Sequence, residues 1–479
     1  MRTTLGTIRG RRVGSVDQFS GIRYATAARF EPPVPASGWD GDLDATRPGA
    51  QCPQVFGILD QALGMTEAPV AEDCLYLNVF APIPHVGDGA PSISCPVIVW
   101  IHGGGFTSGS ATMPWYDGGA LVERGNVIVV TLNYRLGAFG FTGRTNAGIR
   151  DQIAALEWVR DHIGAFGGDP ADVTIVGESA GGAAVIALLA TPAADGLFHR
   201  AMAMSPSINQ LRSAARGEES LQQLLAASGA ESLDELRSCS ADDLLAAQNR
   251  LVADRDTWFT AFSPGVDGDL FCDDIVEAAA RSTVPLVIGT TRDEMNLFAA
   301  FDPATAAIDE SQLRRRARLV PGAVGAGAEG SEVDVVLDRY RAARPGATPG
   351  QLATAIQTDE TFRVPARRLA EARSRLGAAT WMYWFTWATP AFGGVLGSCH
   401  ALDIPFLFHQ LELPSVRQFT GDARDRCAVA DRFAGALLEL VHHGSPGWAP
   451  YDETRRVTMR FDVDSGPVID PEPELRELW

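Results

Sequence analysis

The strongest constraint on the fold of this chain is a serine that lies between an apolar run and an alanine-rich run. In VTIVGESAGGAAVIALLA, residues 173–190, a run typical of a buried strand is followed by Gly-Glu-Ser-Ala-Gly and then by a helical pattern. So sharp a strand-to-helix turn needs glycines on both sides of the serine, and it lifts the hydroxyl of Ser179 clear of the sheet. The short motif also arises by chance in tight turns, but the flanking strand and helix favour Ser179 as a nucleophile.

Short apolar runs and helical patterns alternate along much of the chain. CPVIVWIHGGG at 95–105 and NVIVVTLNY at 126–134 are typical of strands buried on both faces, whereas RDQIAALEWVRDHIGAF at 150–166 has helical spacing. The alternation predicts an α/β fold with a mostly parallel central sheet flanked by helices. No repeat or linker divides the chain, so we expect one domain over 1–479, with a helical insertion around 211–260 and a further helical excursion around 305–377.

Charge and composition argue against several classes of protein. The net charge of −19 disfavours nucleic acid and anionic membranes as partners, because like charges repel. No apolar run approaches the roughly 18 residues of a membrane span, and the first residues lack the apolar stretch of a signal peptide, so we expect a cytoplasmic protein. The seven cysteines lack the close pairs of zinc sites, so no metal is expected.

A serine nucleophile needs a base, and the base needs an acid that orients it. In α/β sheets of this type the chain order is serine, acid, histidine, each on a loop after a strand. Of the eight histidines, His400 in GSCHALDIPF has that order and context. VPLVIGTTRDEM places both Asp293 and Glu294 directly after a strand, and spacing alone does not choose between them.

A glycine-rich segment upstream of the serine offers backbone donors. In WIHGGGF, the N–H groups of Gly104 and Gly105 are unobstructed by side chains. Together with the N–H of Ala180 they are candidates for an oxyanion hole. The alternative is a glycine-rich turn with no role beyond ending a strand.

Two stretches resemble signatures of the type-B carboxylesterase/lipase family of α/β-hydrolases. EDCLYLNVFAP at Glu72–Pro82 and FGGDPADVTIVGESAG at Phe166–Gly181 match along their full length, and HGGGFTSGS, NYRLGAFGF, GTTRDE and CHALDIPFLF extend the likeness over most of the chain. The likeness is greatest to the bacterial p-nitrobenzyl esterase group of that family. It implies an α/β-hydrolase fold with helical insertions over the active site, and a serine carboxylic ester hydrolase that needs no cofactor.

The resemblance also assigns roles to individual residues, with Glu294 rather than Asp293 as the orienting acid. The implied nucleophile, acid and base are Ser179, Glu294 and His400, and the implied oxyanion hole is Gly104, Gly105 and Ala180. It further implies a disulfide between Cys52 and Cys74 and buried ion pairs of Arg29 with Glu72 and of Arg135 with Asp151.

Departures from the family pattern bear on the substrate. Met295 stands where relatives have glycine, and SPS at Ser205–Ser207 stands where they have SGS or SGA, which we expect to change the pocket. The loop between the paired cysteines has no tryptophan, so choline esters are not expected as substrates. The predicted pocket residues are Phe106, Met295, Phe298 and Phe392.

These apolar walls predict that the substrate is a neutral, largely apolar ester of small or medium size. We expect the enzyme to be a monomer. An amidase or carbamate hydrolase with the same triad is an alternative. A non-catalytic binding member of the fold is another, against which the presence of all three triad residues argues.

Overall fold

The central element of the structure is a mixed β-sheet. The computed structural model describes residues 1–57, 64, 69–83, 94–253, 261–321 and 331–479. The strands in this part of the chain are β1 (Thr7–Arg9), β2 (Arg11–Val13), β3 (Val16–Arg23), β4 (Ala25–Thr26), β5 (Val34–Pro35), β6 (Asp42–Asp44), β7 (Tyr76–Pro82), β8 (Cys95–Ile101), β9 (Ile128–Leu132), β10 (Gly168–Glu178), β11 (Arg200–Met204), β12 (Leu286–Thr291), β13 (Thr380–Phe385), β14 (Val457–Phe461) and β15 (Gly466–Ile469).

Eleven of these strands form the large sheet, in the order β15-β14-β13-β12-β11-β10-β8-β9-β7-β3-β2. All neighbours from β14 to β9 run parallel, whereas β15 at one edge and β7, β3 and β2 at the other pair antiparallel. Two small two-stranded sheets, β1-β6 and β4-β5, lie outside it. The predicted mostly parallel sheet is therefore confirmed, with antiparallel strands added at both edges.

The apolar runs of the sequence form strands that are buried on both faces. Along β8, Val97, Val99 and Ile101 belong to one hydrophobic cluster, whereas Ile98 and Trp100 belong to another. Successive side chains of a strand point to opposite faces, so the two clusters lie on opposite sides of the sheet. Burial on both faces is the reason that these strands carry continuous rather than alternating apolar residues.

Helices cover the sheet and form the excursions. In the described part of the chain, the α-helices are Gly119–Gly125, Gly137–Phe141, Ala147–His162, Ala180–Leu189, Ala214–Ser228, Leu233–Ser238, Ala241–Val252, Ile275–Arg281, Asn296–Ala300, Pro303–Ala306, Glu310–Ala317, Ser331–Ala343, Pro349–Thr358, Val364–Arg375, Ile404–Leu407, Pro414–Thr420, Arg426–His443 and Pro473–Arg476. A π-helical turn at Asp359–Arg363 joins two of them. None of the described helices is long and apolar enough to cross a membrane.

Both stretches that were predicted to be helical excursions contain helices. Three lie within 214–252, and a further series lies within 310–375. Residues 254–260 of the first stretch and 322–330 of the second lie outside the described residues.

A disulfide and an ion pair hold the N-terminal part of the chain. Cys52 and Cys74 are joined, with their Cα atoms 5.0 Å apart. Two residues before Cys74, Glu72 accepts a hydrogen bond of 2.9 Å from Nε of Arg29. The same arginine donates to the carbonyl of Cys239, so it also ties the first helical excursion to this region.

A second ion pair is almost fully buried. Arg135 donates to both carboxylate oxygens of Asp151, at 2.8 and 2.7 Å, and the two side chains are only 5% and 0% exposed. The remaining donors of Arg135 reach the carbonyls of Ala28 and Glu31. Because this arginine follows β9 and Asp151 lies in the helix Ala147–His162, the pair anchors the N-terminal segment to the sheet and a covering helix.

The candidate catalytic residues follow three parallel strands of the sheet, of which β12 and β13 are neighbours and β10 is separated from β12 by β11. Ser179 comes directly after β10, Glu294 three residues after β12, and His400 in the loop after β13. The carboxyl ends of parallel strands meet at one edge of a sheet, where ligand sites of open α/β folds form. The topology therefore brings residues that are distant in sequence to the same edge.

Candidate active site

Ser179 occupies a strained turn between β10 and the helix Ala180–Leu189. Its backbone angles, φ 58° and ψ −120°, are rare for a residue with a side chain. Glycines permit this turn, since a Cβ at Gly177 would lie 2.4 Å from the carbonyl oxygen of Gly181, and a Cβ at Gly181 would lie 2.0 Å from that of Ile101. The close contact between strand end and helix start thus requires both glycines of the motif.

Glu294 and His400 form a buried hydrogen bond. Oε2 of Glu294 lies 2.6 Å from Nδ1 of His400. The other oxygen accepts hydrogen bonds from the Ser205 hydroxyl at 2.6 Å and from the Thr291 N–H at 2.7 Å. Because both oxygens have partners, the carboxylate is held in one orientation toward the imidazole ring.

Asp293, which the residue pattern left as an alternative acid, has different contacts. Its carboxylate accepts hydrogen bonds from the N–H of Ser398 at 2.9 Å and from Nε of Arg292 at 2.9 Å. Its own N–H donates to the Ser398 carbonyl. Asp293 therefore fixes the loop that carries His400, whereas Glu294 faces the ring itself.

A second carboxylate lies on the opposite side of the imidazole. Oε1 of Glu178, the residue before Ser179, is 3.1 Å from Nε2 of His400. Two phenylalanine rings pack near the same imidazole, with centroids at 4.8 Å for Phe362 and 5.3 Å for Phe298. Carboxylates and aromatic rings together shield His400, which is only 5% exposed.

The glycine-rich loop after β8 lies beside the serine. Gly104 has a φ of 107°, and a Cβ there would lie 2.2 Å from the Ser108 carbonyl oxygen, so only glycine fits. Ala180 begins the helix after Ser179. Within the described part of the chain, we find no hydrogen bond that uses the N–H of Gly104, Gly105 or Ala180 as donor. All three donors are thus available to a ligand.

One cavity contains the serine, the histidine and the glycine loop. It measures about 210 Å³ and is lined by Ser179, His400, Glu178, Gly104 and Gly105 together with apolar and aromatic side chains. Val252, from the first helical excursion, and Phe362, from the second, also line it. The excursions thus contribute to the walls of the site.

Known proteins match this chain along nearly its whole length. Residues 1–464 match the Carboxylesterase family.

The chain belongs to the carboxylesterase family.

Individual relatives agree with this assignment. The para-nitrobenzyl esterase of Bacillus subtilis (strain 168) is 37% identical over 506 aligned residues, which cover 99% of this chain and 97% of the relative. The phenmedipham hydrolase of Pseudarthrobacter oxydans is 31% identical over 93% of this chain and 90% of its own. Among solved structures, a carboxylesterase of Geobacillus stearothermophilus has a TM-score of 0.85 at 35% identity, covering 100% of this chain and 99% of its own. The predicted α/β-hydrolase fold and serine carboxylic ester hydrolase are therefore confirmed.

Three of the four predicted pocket residues lie outside the cavity that contains Ser179. Phe298 lines it, but Phe106, with a positive φ of 61°, is fully buried and packs its ring 5.0 Å from that of Phe141. Met295 faces a neighbouring cavity, and Phe392 is 59% exposed on an apolar groove. The backbone direction at each position, which the sequence pattern does not reveal, decides where the side chain goes.

Ser205, expected to change the pocket, acts elsewhere. Instead of lining the cavity, its hydroxyl donates to Glu294. The serine that SPS shares with SGS and SGA therefore helps to hold the carboxylate that contacts His400.

Sequence reasoning missed two buried acids near His400. Asp403 is fully buried, and its Oδ2 accepts a hydrogen bond of 2.9 Å from the Tyr383 hydroxyl, while Oδ1 has no partner among the described residues. Glu178 is the other. Each is a single acid next to apolar residues, in VTIVGE and ALDIPFLF, and such an isolated charge is the signal that could have identified both.

The buried acids and the histidine shift each other's protonation. Burial raises the pKa of Glu178 to about 8, and Asp403 and Glu294 add to that rise. Burial together with the charge of Glu294 raises the pKa of Asp403 to about 7. Burial opposes a charge on His400, but Glu178 and Glu294 outweigh it and raise the pKa of His400 to about 9. Because each group shifts the other's pKa, Glu178 and His400 titrate as a coupled pair rather than independently.

Proposed function

We propose that this enzyme hydrolyses neutral, largely apolar carboxylic esters of small or medium size through a Ser179–His400–Glu294 triad and an acyl-enzyme intermediate. The observation that carries the proposal is the buried contact between Glu294 and Nδ1 of His400, since His400 lines the same cavity as the serine of the strained turn. Membership of the carboxylesterase family supports the same chemistry.

In the first half of the reaction, His400 takes the proton of Ser179 through Nε2 as the serine oxygen attacks the ester carbonyl carbon. Glu294 holds the proton on Nδ1, which keeps Nε2 available as the base, and stabilises the imidazolium that forms. The N–H groups of Gly104, Gly105 and Ala180 bind the oxyanion. Each such donor typically contributes about 3 to 4 kcal/mol to transition-state stabilisation.

The intermediate then collapses. His400 gives its proton to the alcohol oxygen, the bond from the carbonyl carbon to that oxygen breaks, and the alcohol leaves with the acyl group on Ser179. A water molecule repeats the attack with His400 as base and releases the carboxylic acid. The complete reaction consumes one water molecule. The proton that His400 takes in each half of the reaction is given back in the same half.

The walls of the cavity support a neutral substrate. Among the described lining residues, Glu178 and His400 are the ionisable acid and base, and they face each other. The remaining wall includes Trp115, Leu297 and Phe362, which favour desolvated alkyl and aryl groups. At about 210 Å³ the cavity is below the usual 300 to 1,000 Å³ of drug-sized ligand sites, which favours small acyl and alcohol groups.

Turnover of p-nitrophenyl butyrate beside the matching p-nitroanilide tests the reaction class. We expect rapid ester hydrolysis and little anilide hydrolysis, and a faster anilide would instead identify an amidase. A phosphonate probe should label the protein stoichiometrically, and Ser179→Ala should abolish both labelling and turnover. Labelling that survives this substitution would remove Ser179 from the mechanism.

A panel of esters tests the substrate class. With p-nitrophenyl acetate, butyrate, octanoate and palmitate, we expect a maximum of kcat/KM at short or medium chains, because each added CH₂ contributes only about 0.8 kcal/mol until the cavity is filled. Butyrylcholine should be a poor substrate. A maximum at palmitate, or efficient choline ester turnover, contradicts this substrate assignment.

A further inference from the structure

A second cavity, whose lining includes four arginines, lies away from the catalytic one. It measures about 40 Å³ and is formed by side chains from β12, β13 and β14, from the helix Val364–Arg375 and from the C-terminal segment. None of its lining residues lines the cavity of Ser179. Four of them are arginines, against a single lining acid, Asp470: Arg363, Arg367, Arg456 and Arg476.

Two of these arginines are neutralised by close carboxylates. Nε of Arg476 lies 2.8 Å from Oδ1 of Asp470. Arg363 pairs with Glu472 and, at 3.3 Å, with Asp359. These ion pairs compensate the positive charges of Arg363 and Arg476.

The other two arginines share one carboxylate at long distance. Nε of Arg367 and Nε of Arg456 lie 3.6 and 3.8 Å from the same oxygen of Glu371, both beyond hydrogen-bonding distance. Two positive charges thus face one negative charge, and neither Nε–H is satisfied by it. Burial lowers the pKa of Arg367, since Glu371 compensates only part of the lost hydration.

The lining also carries buried donors that have no acceptor. Within the described part of the chain, five such atoms lack a hydrogen-bond partner: Oη of Tyr451, Nε1 of Trp384, and Nε of Arg363, Arg367 and Arg456. Tyr451 is only 4% exposed, and its hydroxyl interacts electrostatically with Glu371 first, then with Arg456, Arg367 and Asp470. Every other buried unpartnered side-chain atom of the described residues belongs to a residue outside this lining.

We propose that this cavity is a binding site for a small oxyanion, a carboxylate or an inorganic phosphate, held by Arg367, Arg456 and the Tyr451 hydroxyl. Buried polar groups are almost always hydrogen-bonded, so a group of donors without acceptors calls for a ligand rich in acceptors. Oxyanions are the ligands that arginine binds most strongly, through charge-assisted and often paired hydrogen bonds. The cavity holds about three water-sized volumes, enough for a group of a few atoms.

Calorimetric titration of the intact enzyme tests the site directly. The protein is dialysed at constant ionic strength into a buffer of bulky anions and titrated separately with inorganic phosphate and with sodium acetate. We expect saturable binding of at least one of the two with a stoichiometry of one, and the tighter of the two identifies the oxyanion class. Absence of saturable binding with both overturns the proposal, since water alone then fills the cavity.

Matched variants locate the bound anion. Tyr451→Phe removes one oxygen and Arg367→Gln one charge, and each should weaken binding by about tenfold. Arg460→Gln is the control. Arg460 lies in β14, close in sequence to Arg456, and its Nε also has no partner among the described residues, but it does not line the cavity. Equal affinity in all three variants places the anion elsewhere and overturns the proposal. Ester turnover verifies that each variant is folded. If Arg367→Gln does not fold, the comparison of Tyr451→Phe with Arg460→Gln still tests the location of the anion.

Discussion

Nε2 of His400 lies 3.1 Å from Oε1 of Glu178, on the side of the ring opposite to Glu294. In the proposed mechanism this nitrogen accepts the serine proton, and it is already in contact with a carboxyl group. Because the pKa of His400 is raised to about 9, its ring can act as a base only after it has lost its proton. Activity should consequently rise with pH on the acidic side of the optimum.

Replacement of Glu178 should shift the pH dependence of ester hydrolysis. In Glu178→Gln, the carboxylate that raises the pKa of His400 is gone, so the base loses its proton at lower pH. We expect the acidic limb of kcat/KM to move down by about one pH unit or more. A pH-stat assay with a small ester between pH 5 and 9 measures it, with Glu178→Asp as the control that keeps the charge. An unchanged limb would show that Glu178 does not set the protonation of His400.

Two neighbouring acids should differ greatly in their effect on turnover. Glu294→Gln removes the charge that supports the imidazolium, and we expect kcat to fall by roughly 10³- to 10⁴-fold, the range for acids in such triads. Asp293→Asn keeps an oxygen that accepts the Ser398 N–H, so its kcat should fall less than about tenfold. Steady-state kinetics of both purified variants checks the ranking. A larger loss for Asp293→Asn would assign the acid to Asp293.

The sequence identified candidate catalytic residues that the structure brings to one edge of the sheet, but it did not predict which side chains line the pocket. Ser179, Glu294 and His400 follow from a short motif, chain order and a family resemblance, because strand ends of a parallel sheet must meet at one edge. Phe106 was expected to form a wall of the pocket, yet its left-handed backbone directs the ring toward Phe141. Such a direction depends on tertiary packing and leaves no pattern in the sequence.

The buried acids near His400 show the same limit of prediction from sequence. Asp403 and Glu178 were visible as single charges beside apolar residues, but their proximity to His400 depends on how the loop after β13 folds back. Ser205 precedes Pro206, the residue by which SPS departs from the family pattern, but only the structure shows that the serine hydroxyl donates to Glu294. Motifs identify the groups that react, whereas their neighbours require the three-dimensional arrangement.

Asp403 should destabilise the fold at alkaline pH. Its pKa is about 7 in the folded protein and close to 4 in an unfolded chain. Because the folded pKa is raised, the group's contribution to stability is fully present below pH 4 and is lost as the pH rises through 7. Relative to wild type, Asp403→Asn should therefore gain more than about 1 kcal/mol of unfolding free energy between pH 5 and 8.

Urea denaturation at those two pH values measures the difference. Tyr383→Phe is the companion variant, since it removes the hydroxyl that favours the ionised form of Asp403. This variant should lose stability more steeply than wild type over the same interval. If the difference between Asp403→Asn and wild type does not change with pH, Asp403 does not titrate in this range.

The buried pair of Arg135 and Asp151 should contribute strongly to stability. Arg135→Met leaves the carboxylate of Asp151, which is 0% exposed, without its partner, and we expect a loss of about 3 to 5 kcal/mol in the free energy of unfolding. Arg12→Met breaks a hydrogen-bonded pair with Asp17 at the surface, where solvent screens the charges, and should cost much less. Chemical denaturation of both variants provides the comparison, and equal losses would contradict the dependence on burial.

The distribution of the triad along the chain also affects how the enzyme can acquire activity during synthesis. A ribosome completes Ser179 and its turn well before β12 and β13, the strands that lead to Glu294 and His400. The β10–β8 pairing that positions the serine can form from the earlier part of the chain alone. If the proposed triad is correct, a nascent chain carries its nucleophile without a base for much of translation and should not hydrolyse esters during that time. For the same reason, a chain divided between β11 and β12 would yield two fragments that are inactive apart, and restored ester turnover would report their reassembly.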